Sequence, residues 1–419
     1  MTSKERMLAT LSFSEPDQVC VDFGSSALTG LHVLPVELLR AHYGLEKRPV
    51  KVVDPYQMLG EIEEDLMECL GVDTVGMVPS ANIFGFRNEG WKLWTAPWGQ
   101  ELLVPSDFQT VQDSKGDTLV FPKGDRNAPP SARLPVSGYF FDTIVRQPPI
   151  DESKLNPEDN LEEFVELSEA DLAWYRKEAA RLRSADRAVV AGVPGTAFGD
   201  IALVPAPFLK HPKGIRDISE WYMYTVLRPD YIHAVFEKQC EVALKNLALV
   251  NDVAGDVIDV LVVCGTDFGT QNSQFCSAET YQELYAPYYK RLNDWIHRNT
   301  KWKTFKHSCG AVYPFMEHFI SSGFDILNPV QCSATDMEPG RLKEEFGKRI
   351  VFWGGGVDTQ KTLPFATPDE VYREVRERID IFSPGGGFVF DTIHNVQANT
   401  PVENLMAMFR ALDDARASS

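Results

Sequence analysis

Short apolar runs recur along the chain and are separated by longer amphipathic stretches. Most of these runs are continuously apolar rather than alternating, which is typical of β-strands buried on both faces. Strands that alternate with helices form parallel sheets. About eight such strands favour a closed (β/α)8 TIM-like barrel of the α/β class over an open doubly wound sheet. The predicted strands lie at 18–24, 71–78, 188–193, 257–263, 304–309, 325–330, 350–354 and 387–390.

Helices are predicted between these runs. Thr367 and Thr400 are each followed by Pro and, at the third position, by Glu, which is a capping-box sequence that marks a helix start. Other helices are predicted at 3–12, 35–42, 56–69 and 168–183.

The hydrophobic pattern changes at about 83–145, where short apolar runs alternate with turn sequences. This pattern predicts antiparallel hairpins inserted into a single barrel domain that spans residues 1–419. Trp91, Trp94 and Trp98 lie in this region. We expect them to pack a small sheet, with the lining of a ligand cavity as the alternative.

The net charge of the chain excludes some classes of binding partner. With 41 Lys and Arg against 60 Asp and Glu, the formal net charge is -19, which disfavours nucleic acid and anionic membranes. No apolar run is long enough to span a bilayer, and the N-terminus does not resemble a signal peptide, so we expect a cytoplasmic protein. The seven cysteines are dispersed, as in a reducing compartment. The oligomeric state stays open, with a homodimer among the options.

The sequence His307-Ser308-Cys309 follows a predicted strand. Side chains two residues apart on a strand project to the same side, so His307 and Cys309 are oriented as two ligands for a metal such as zinc. A buried cysteine beside a core histidine is the alternative reading. A catalytic zinc site needs a third protein ligand as well.

Chemistry in a parallel barrel gathers at the carboxyl ends of the strands. Cys264, Cys332 and His394 are the candidates there for the third ligand, and Asp391 is placed to orient His394. The polar residues predicted at the same ends are Asp22, Asp267, Gln271, Gln331, Asp358 and Asp391.

Several motifs resemble the uroporphyrinogen decarboxylase superfamily. They are concentrated in 255–410 and comprise His307-Ser308-Cys309-Gly310, the run from Gly323 to Gln331, the run from Trp353 to Gln360, and Thr400-Pro401-Val402-Glu403-Asn404. The resemblance implies a (β/α)8 barrel. It also implies one of two activities: a cofactor-free decarboxylase, or a zinc methyltransferase that works with a corrinoid protein.

The motifs are closer to the methyltransferase branch, such as the methylcobamide:coenzyme M methyltransferases. The Arg-Gln-Ala-Gly-Arg motif of the decarboxylases is absent, and Ser25-Ser26-Ala27-Leu28 occupies its place. The His-x-Cys motif of the methyltransferases is matched by His307 and Cys309. His394 replaces the distant cysteine of that branch. The resemblance therefore implies a Zn²⁺ site of His307, Cys309 and His394 with one position open.

The leading hypothesis is methyl transfer between a small methylated or thiol substrate and a corrinoid. The methylated group is of the methoxyl, methylthio or methylamine type. Because no Asp-x-His-x-x-Gly motif is present, the corrinoid would be carried on a separate protein. The residues expected to position substrate or exchange protons are Asp267, Gln271, Gln331, Asp358 and Asp391.

Two alternatives remain. A decarboxylase for a polycarboxylated substrate would need clustered cations, and Arg87, Arg146, Lys210 and Lys213 are the loop cations available. A barrel that only binds a ligand or a partner is the other alternative.

Overall fold

The structure, a computed structural model, describes residues 1–417. Eight parallel strands form one sheet in which each strand from the second to the seventh pairs with the next along the chain, and the first strand pairs with the eighth. The (β/α)8 barrel predicted from the apolar runs is confirmed. The barrel strands are β1 Cys20–Val21, β2 Thr74–Met77, β3 Ala188–Gly192, β4 Val260–Cys264, β5 Lys303–His307, β6 Ile326–Asn328, β7 Val351–Trp353 and β8 Phe388–Phe390.

The seam between β1 and β2 is bridged by Asp73. Its backbone N–H donates to the carbonyl of Val21 at 2.8 Å, and its carboxylate accepts the N–H of Val21 at 2.9 Å. The same carboxylate accepts Arg6 from the first helix at 2.6 Å and Arg416 from the last helix at 2.7 Å. Two guanidinium groups thus compensate one buried charge at the seam.

Alternate strand residues fill the barrel interior, as the two-residue period of a strand requires. Met7 and Leu11 of the first helix pack onto this interior at the amino ends of the strands. The interior residues from the strands are Cys20, Ala188, Val190, Val260, Phe305, Ile326, Val351, Trp353 and Val389.

Helices surround the barrel, and those predicted at 3–12, 35–42 and 168–183 are present within two residues of the predicted ends. Thr367 forms the predicted capping box. Thr400 instead donates its hydroxyl to the carbonyl of Gln397. The α-helices are Ser3–Leu11, Val33–His42, Glu64–Leu70, Glu169–Leu182, Ile218–Leu227, Pro229–Ala254, Ala278–Thr280, Ala286–Asn299, Met316–Ser321, Pro339–Phe346, Thr362–Phe365, Pro368–Phe382 and Val402–Ala417.

Shorter helical turns complete the layer: a π-helix at Tyr281–Tyr285 and 3-10 turns at Pro122–Gly124, Glu152–Lys154, Pro157–Asn160 and Tyr313–Phe315. None of the helices in residues 1–417 combines the length and the apolar character that crossing a membrane requires.

The helix predicted at 56–69 is wrong in its first half. Strands Val50–Asp54 and Leu59–Gly60 pair there, and the helix begins only at Glu64. Met58 has a φ of 55°, a left-handed conformation that interrupts any helix at this point.

The inserted region contains the predicted antiparallel hairpins. One sheet has the order Leu59–Gly60, Val50–Asp54, Glu101–Val104, Lys92–Thr95, and the other Asp142–Thr143, Ala132–Leu134, Thr118–Val120, Thr110–Gln112. Trp94 packs edge-to-face on Phe108, and Trp98 packs on Tyr139. Trp91 instead lines a cavity.

Candidate metal centre

The structure brings His307, Cys309 and His394 together. His307 ends β5, Cys309 lies in the following turn, and His394 lies in the loop after β8. One ligand atom from each residue lies within 4.8 Å of the other two. The Sγ of Cys309 is 3.4 Å from Nε2 of His307, and the two imidazole centroids are 5.7 Å apart.

The His307 ring is held in one tautomer. Two residues above the interior residue Phe305, it projects into the barrel, where Nδ1 donates to Oδ1 of Asn328 at 2.5 Å. The amide of Asn328 is itself oriented because its nitrogen donates to the carbonyl of Trp353 at 3.0 Å. Burial lowers the pKa of His307 to about 4, so the ring is neutral at pH 7. Its Nε2 lone pair is left to face the thiol, as metal ligation requires.

Cys309 is held through its backbone. Its N–H donates to Oδ1 of Asp267 at 2.6 Å, and the next N–H, of Gly310, donates to Oε1 of Gln331 at 2.8 Å. Gly310 has a φ of 86°, and a Cβ there would lie 2.4 Å from the backbone of Gly269. Burial, with Asp267 beside it, raises the pKa of the Cys309 thiol well above its ordinary value. The thiol is therefore protonated unless a cation stabilises the thiolate.

His394 is set by its neighbour Asn395. The Asn395 side chain accepts the N–H of Gly30 at 2.6 Å and donates to the carbonyl of Ala27 at 2.8 Å. Burial lowers the pKa of His394 to about 4. Its Nδ1 accepts the backbone N–H of Asn395 at 2.8 Å, so the neutral ring carries its proton on Nε2.

Metal binding by His394 requires either the other tautomer or loss of the bond to Asn395. Either change costs about one hydrogen bond, ~1 kcal/mol. That is small beside the ~10–16 kcal/mol with which zinc binds a folded Cys and His site. Two neutral imidazoles and one sulfur are a donor set that suits zinc.

Three of the predicted polar residues adjoin this group. Gln331 donates to Oε1 of Gln271 at 2.8 Å, and Gln271 donates to the carbonyl of Ser333 at 2.5 Å. Oδ1 of Asp267 is 3.8 Å from Nε2 of His307, and burial raises the pKa of this carboxyl. Asp267 and Gln331 contact the turn that carries Cys309 directly, and Gln271 supports Gln331.

Asp358 lies at a turn of its own. Its carboxylate accepts the backbone N–H groups of Gln360 at 2.6 Å and Lys361 at 3.1 Å, which caps the turn after β7. Its backbone bridges to Ile393, next to His394, but among residues 1–417 its side chain forms no hydrogen bond with the three donors.

Asp391 does not orient His394 by a hydrogen bond, contrary to the prediction. Its Oδ1 accepts the backbone N–H of Thr392 at 2.7 Å, and its Oδ2 is buried without a partner among residues 1–417. Burial, with Asp22 nearby, raises the pKa of Asp391 well above its ordinary value. The side chain projects into the barrel interior, two residues above Val389.

The other two candidate ligands are not part of the group. The thiol of Cys332 donates to the carbonyl of Val330 at 3.3 Å, and Cys264 is buried at the end of β4. Asp22 accepts Ser25, Thr74 and the indole of Trp353. It is a packed polar group of the barrel interior.

A cavity of about 780 Å³ opens over the carboxyl ends of β1 to β4, and its lining does not include His307, Cys309 or His394. Two carboxylates in it, Asp54 and Asp200, were missed by sequence reasoning. Asp54 ends a strand of the inserted sheet, where a helix was predicted next, and Asp200 lies eight residues beyond the end of β3. Asn328 was missed as well, although a polar residue at the end of an apolar run is a signal that could have found it.

The four loop cations weighed for a decarboxylase lie outside this cavity. Arg87 pairs with Glu89, and Arg146 donates to the carbonyls of Ala206 and Leu209. The two lysines are also engaged, Lys210 with Asp125 and Lys213 with Glu162.

Comparison with known proteins adds to this picture. Residues 157–415 match the protein-family model described as uroporphyrinogen decarboxylase (URO-D). The structure is similar to that of a methyltransferase from Methanosarcina mazei, with a TM-score of 0.53 and 16% sequence identity over 99% of each chain. At this identity the likeness shows a shared fold. No curated protein matches the sequence.

Proposed function

The chain belongs to the uroporphyrinogen decarboxylase family, and from that premise we propose that it is a zinc-dependent methyltransferase. It moves a methyl group between a small methylated or thiol substrate and a corrinoid carried on a separate protein. One observation carries the proposal: the convergence of His307, Cys309 and His394 within 4.8 Å. The fold shared with a methyltransferase is consistent with it.

Three protein ligands would leave a fourth zinc position for a substrate atom. A zinc ion bound there would stabilise a thiolate at neutral pH or make a heteroatom a better leaving group. The two branches of this chemistry correspond to opposite directions of methyl transfer.

The residues of the chain have defined tasks in this scheme. Asn328 keeps the Nδ1 proton of His307 in place, so that Nε2 is always available. Asp267 and Gln331 hold the turn at Cys309 and Gly310 through backbone N–H groups. These contacts set the sulfur against the imidazole before a metal arrives, which reduces the rearrangement on binding.

The alternative decarboxylase activity is disfavoured by charge. Arg87, Arg146, Lys210 and Lys213 all lie outside the cavity, which is lined by five carboxylates and three cations. Because the lining carries an excess of negative charge, a polycarboxylated substrate would meet net repulsion there.

Elemental analysis tests the metal. We expect about one zinc per chain in the wild type. Cys309→Ser should lose it, whereas Cys332→Ser, which changes a cysteine after a neighbouring strand, should keep it. A metal-free wild type, or equal loss in both variants, would contradict the proposal.

Methyl transfer is then tested by mixing the zinc-loaded protein with methylcobalamin and a thiol. The absorbance change of the corrinoid reports demethylation. The reverse direction is assayed with methylated donors and reduced corrinoid. A protein that binds zinc but reacts in neither direction would favour a binding barrel over an enzyme.

A further inference from the structure

We propose that the cavity over β1 to β4 selects a small organic cation, a methylated ammonium that bears an apolar group, held by Asp54 and Asp200. The inference rests on the proposed function only for the role of this molecule as the methyl-bearing substrate. The binding itself follows from the cavity.

The charges that line the cavity do not balance. Five carboxylates and three cations line it, and the cations are Lys51, Lys177 and Arg181. Lys51 pairs with Glu61 at 2.8 Å, and Arg181 with Glu178 at 2.7 Å. Lys177 is exposed at the rim, with its ammonium 5.4 Å from the ring centre of Trp174. None of these three cations forms an ion pair with Asp54 or Asp200.

Asp54 and Asp200 are held only by backbone donors. Asp54 accepts the N–H of Gln57 at 2.8 Å, and Asp200 that of Ala202 at 2.9 Å. Within residues 1–417, neither forms an ion pair with Lys, Arg or His. Burial raises the pKa of each to about 6, so both are mainly ionised at pH 7. Partly desolvated carboxylates without a cation attract one from solution.

Lys306 is a buried cation whose charge lowers the pKa of Asp200 against the larger, raising effect of burial. It does not form an ion pair with this carboxylate. Its ammonium donates to the carbonyls of Thr266 and His307, and lies 4.7 Å from the ring centre of Phe268. It faces the helices rather than the cavity, since its neighbours Phe305 and His307 face the barrel interior.

The rest of the cavity wall is largely apolar and suits the remainder of such a molecule. Ligand sites combine apolar walls with a few polar groups that fix orientation. The apolar residues that line it include Val53, Leu59, Ile62, Met77, Val190 and Val262.

The cavity also adjoins the three donors. Gly265 lines it, and a Cβ on Gly265 would lie 2.8 Å from Oδ2 of Asp200. Two residues further along this loop, Asp267 accepts the N–H of Cys309. On the opposite side, Ala27 lines the cavity and accepts the side chain of Asn395, the neighbour of His394. A cation beside Asp200 is thus held next to the proposed metal centre.

Three probes that share one benzyl or phenyl group test the inference: benzyltrimethylammonium, benzyl methyl ether and benzoate. Titration calorimetry on the full chain at pH 7.5 measures the affinity of each. We expect the cation to bind about tenfold or more tightly than the ether, and benzoate to bind weakest. Asp54→Asn and Asp200→Asn should each reduce cation affinity about tenfold and leave ether affinity unchanged.

Asp380→Asn, which removes an exposed carboxylate on an outer helix, is the matched control and should bind as the wild type does. Circular dichroism checks that each variant is folded. Equal affinity for cation and ether, or cation binding that is unchanged in both cavity variants, would overturn the inference.

Because these titrations need neither zinc nor corrinoid, the two ideas fail separately. Cation binding without methyl transfer would remove the proposed function alone. Methyl transfer from ether donors without cation binding would remove the inference alone.

Discussion

The two sides of the barrel mouth differ in how their polar groups are satisfied. Over β5 and β8, His307 and the backbone of Cys309 are fixed by buried hydrogen-bond partners. Over β1 to β4, Asp54 and Asp200 line an open cavity and have only backbone donors. The first side is organised for precise geometry, and the second retains unused charge, as a site that waits for a ligand does.

The sequence comparison follows this division only in part. All three donors and Asp200 lie within 157–415, the part that matches the family, whereas Asp54 and the inserted sheets lie before it. The proposed cation site thus combines one carboxylate from the matched part of the chain with one from the part before it.

The largest effect is expected from His394→Ala, which tests whether the metal centre and the cavity act independently. Removing one of three ligands should lower zinc affinity and methyl transfer by more than about 100-fold, since even removal of a residue that only supports a ligand costs 10–100-fold. Binding of benzyltrimethylammonium to the cavity should not change. Chelator competition and calorimetry measure the two quantities.

His318→Ala, at a partly exposed histidine outside the group, is the control and should alter neither quantity. If His394→Ala weakened cation binding as strongly as zinc binding, the two sides could not be regarded as separate.

A smaller effect is expected from Asn328→Ala. The ring of His307 would lose the acceptor that fixes its tautomer, and zinc affinity should fall by about 10–100-fold. Competition with a chromophoric chelator measures this. Asn404→Ala, the control, removes a buried asparagine whose side chain donates to the carbonyls of Leu363 and Ala366 rather than to a metal-centre residue. It should reduce stability without this loss of affinity, and equal losses would refute the role given to Asn328.

The smallest effect is expected from Asp200→Asn, on the side of the barrel mouth that holds the cavity. The pKa of Asp200 is about 6 in the folded chain, whereas an unfolded Asp titrates near about 3.9. Between these values the folded state binds more protons, so Asp200 makes stability fall as pH rises. Asp200→Asn should therefore unfold at higher urea at pH 8, by about 1 kcal/mol after allowance for partial exposure, with no gain near pH 4.

Urea titrations at the two pH values, beside Asp380→Asn, measure this gain. A variant less stable than the wild type at pH 8 would show that the carboxylate supports the fold and is not held in reserve for a ligand.

The barrel could be predicted because its strands are buried on both faces. The apolar run at 188–193 becomes Ala188–Gly192, and that at 350–354 becomes Val351–Trp353. The helix predicted at 56–69 failed because Leu59–Gly60 depends on pairing with Val50–Asp54, and the left-handed turn at Met58 carries no sequence signal. Such pairing is decided by tertiary contacts rather than by local preference.

The site was predicted unevenly for similar reasons. His307 and Cys309 follow from the two-residue period of a strand, and His394 from family resemblance rather than from local pattern. Asp54 and Asp200 escaped because their environment exists only after the inserted sheet has folded beside the barrel mouth. The hydrogen bond predicted from Asp391 to His394 is replaced by a local one, since the carboxylate accepts the backbone N–H of Thr392.

The seam at Asp73 has a consequence for synthesis on the ribosome. The first strand pairs with the eighth, and Asp73 collects one arginine from each end of the chain. A nascent polypeptide therefore exposes unpaired sheet edges until its eighth strand has emerged. Chaperones that shield such edges would be needed up to that point in translation.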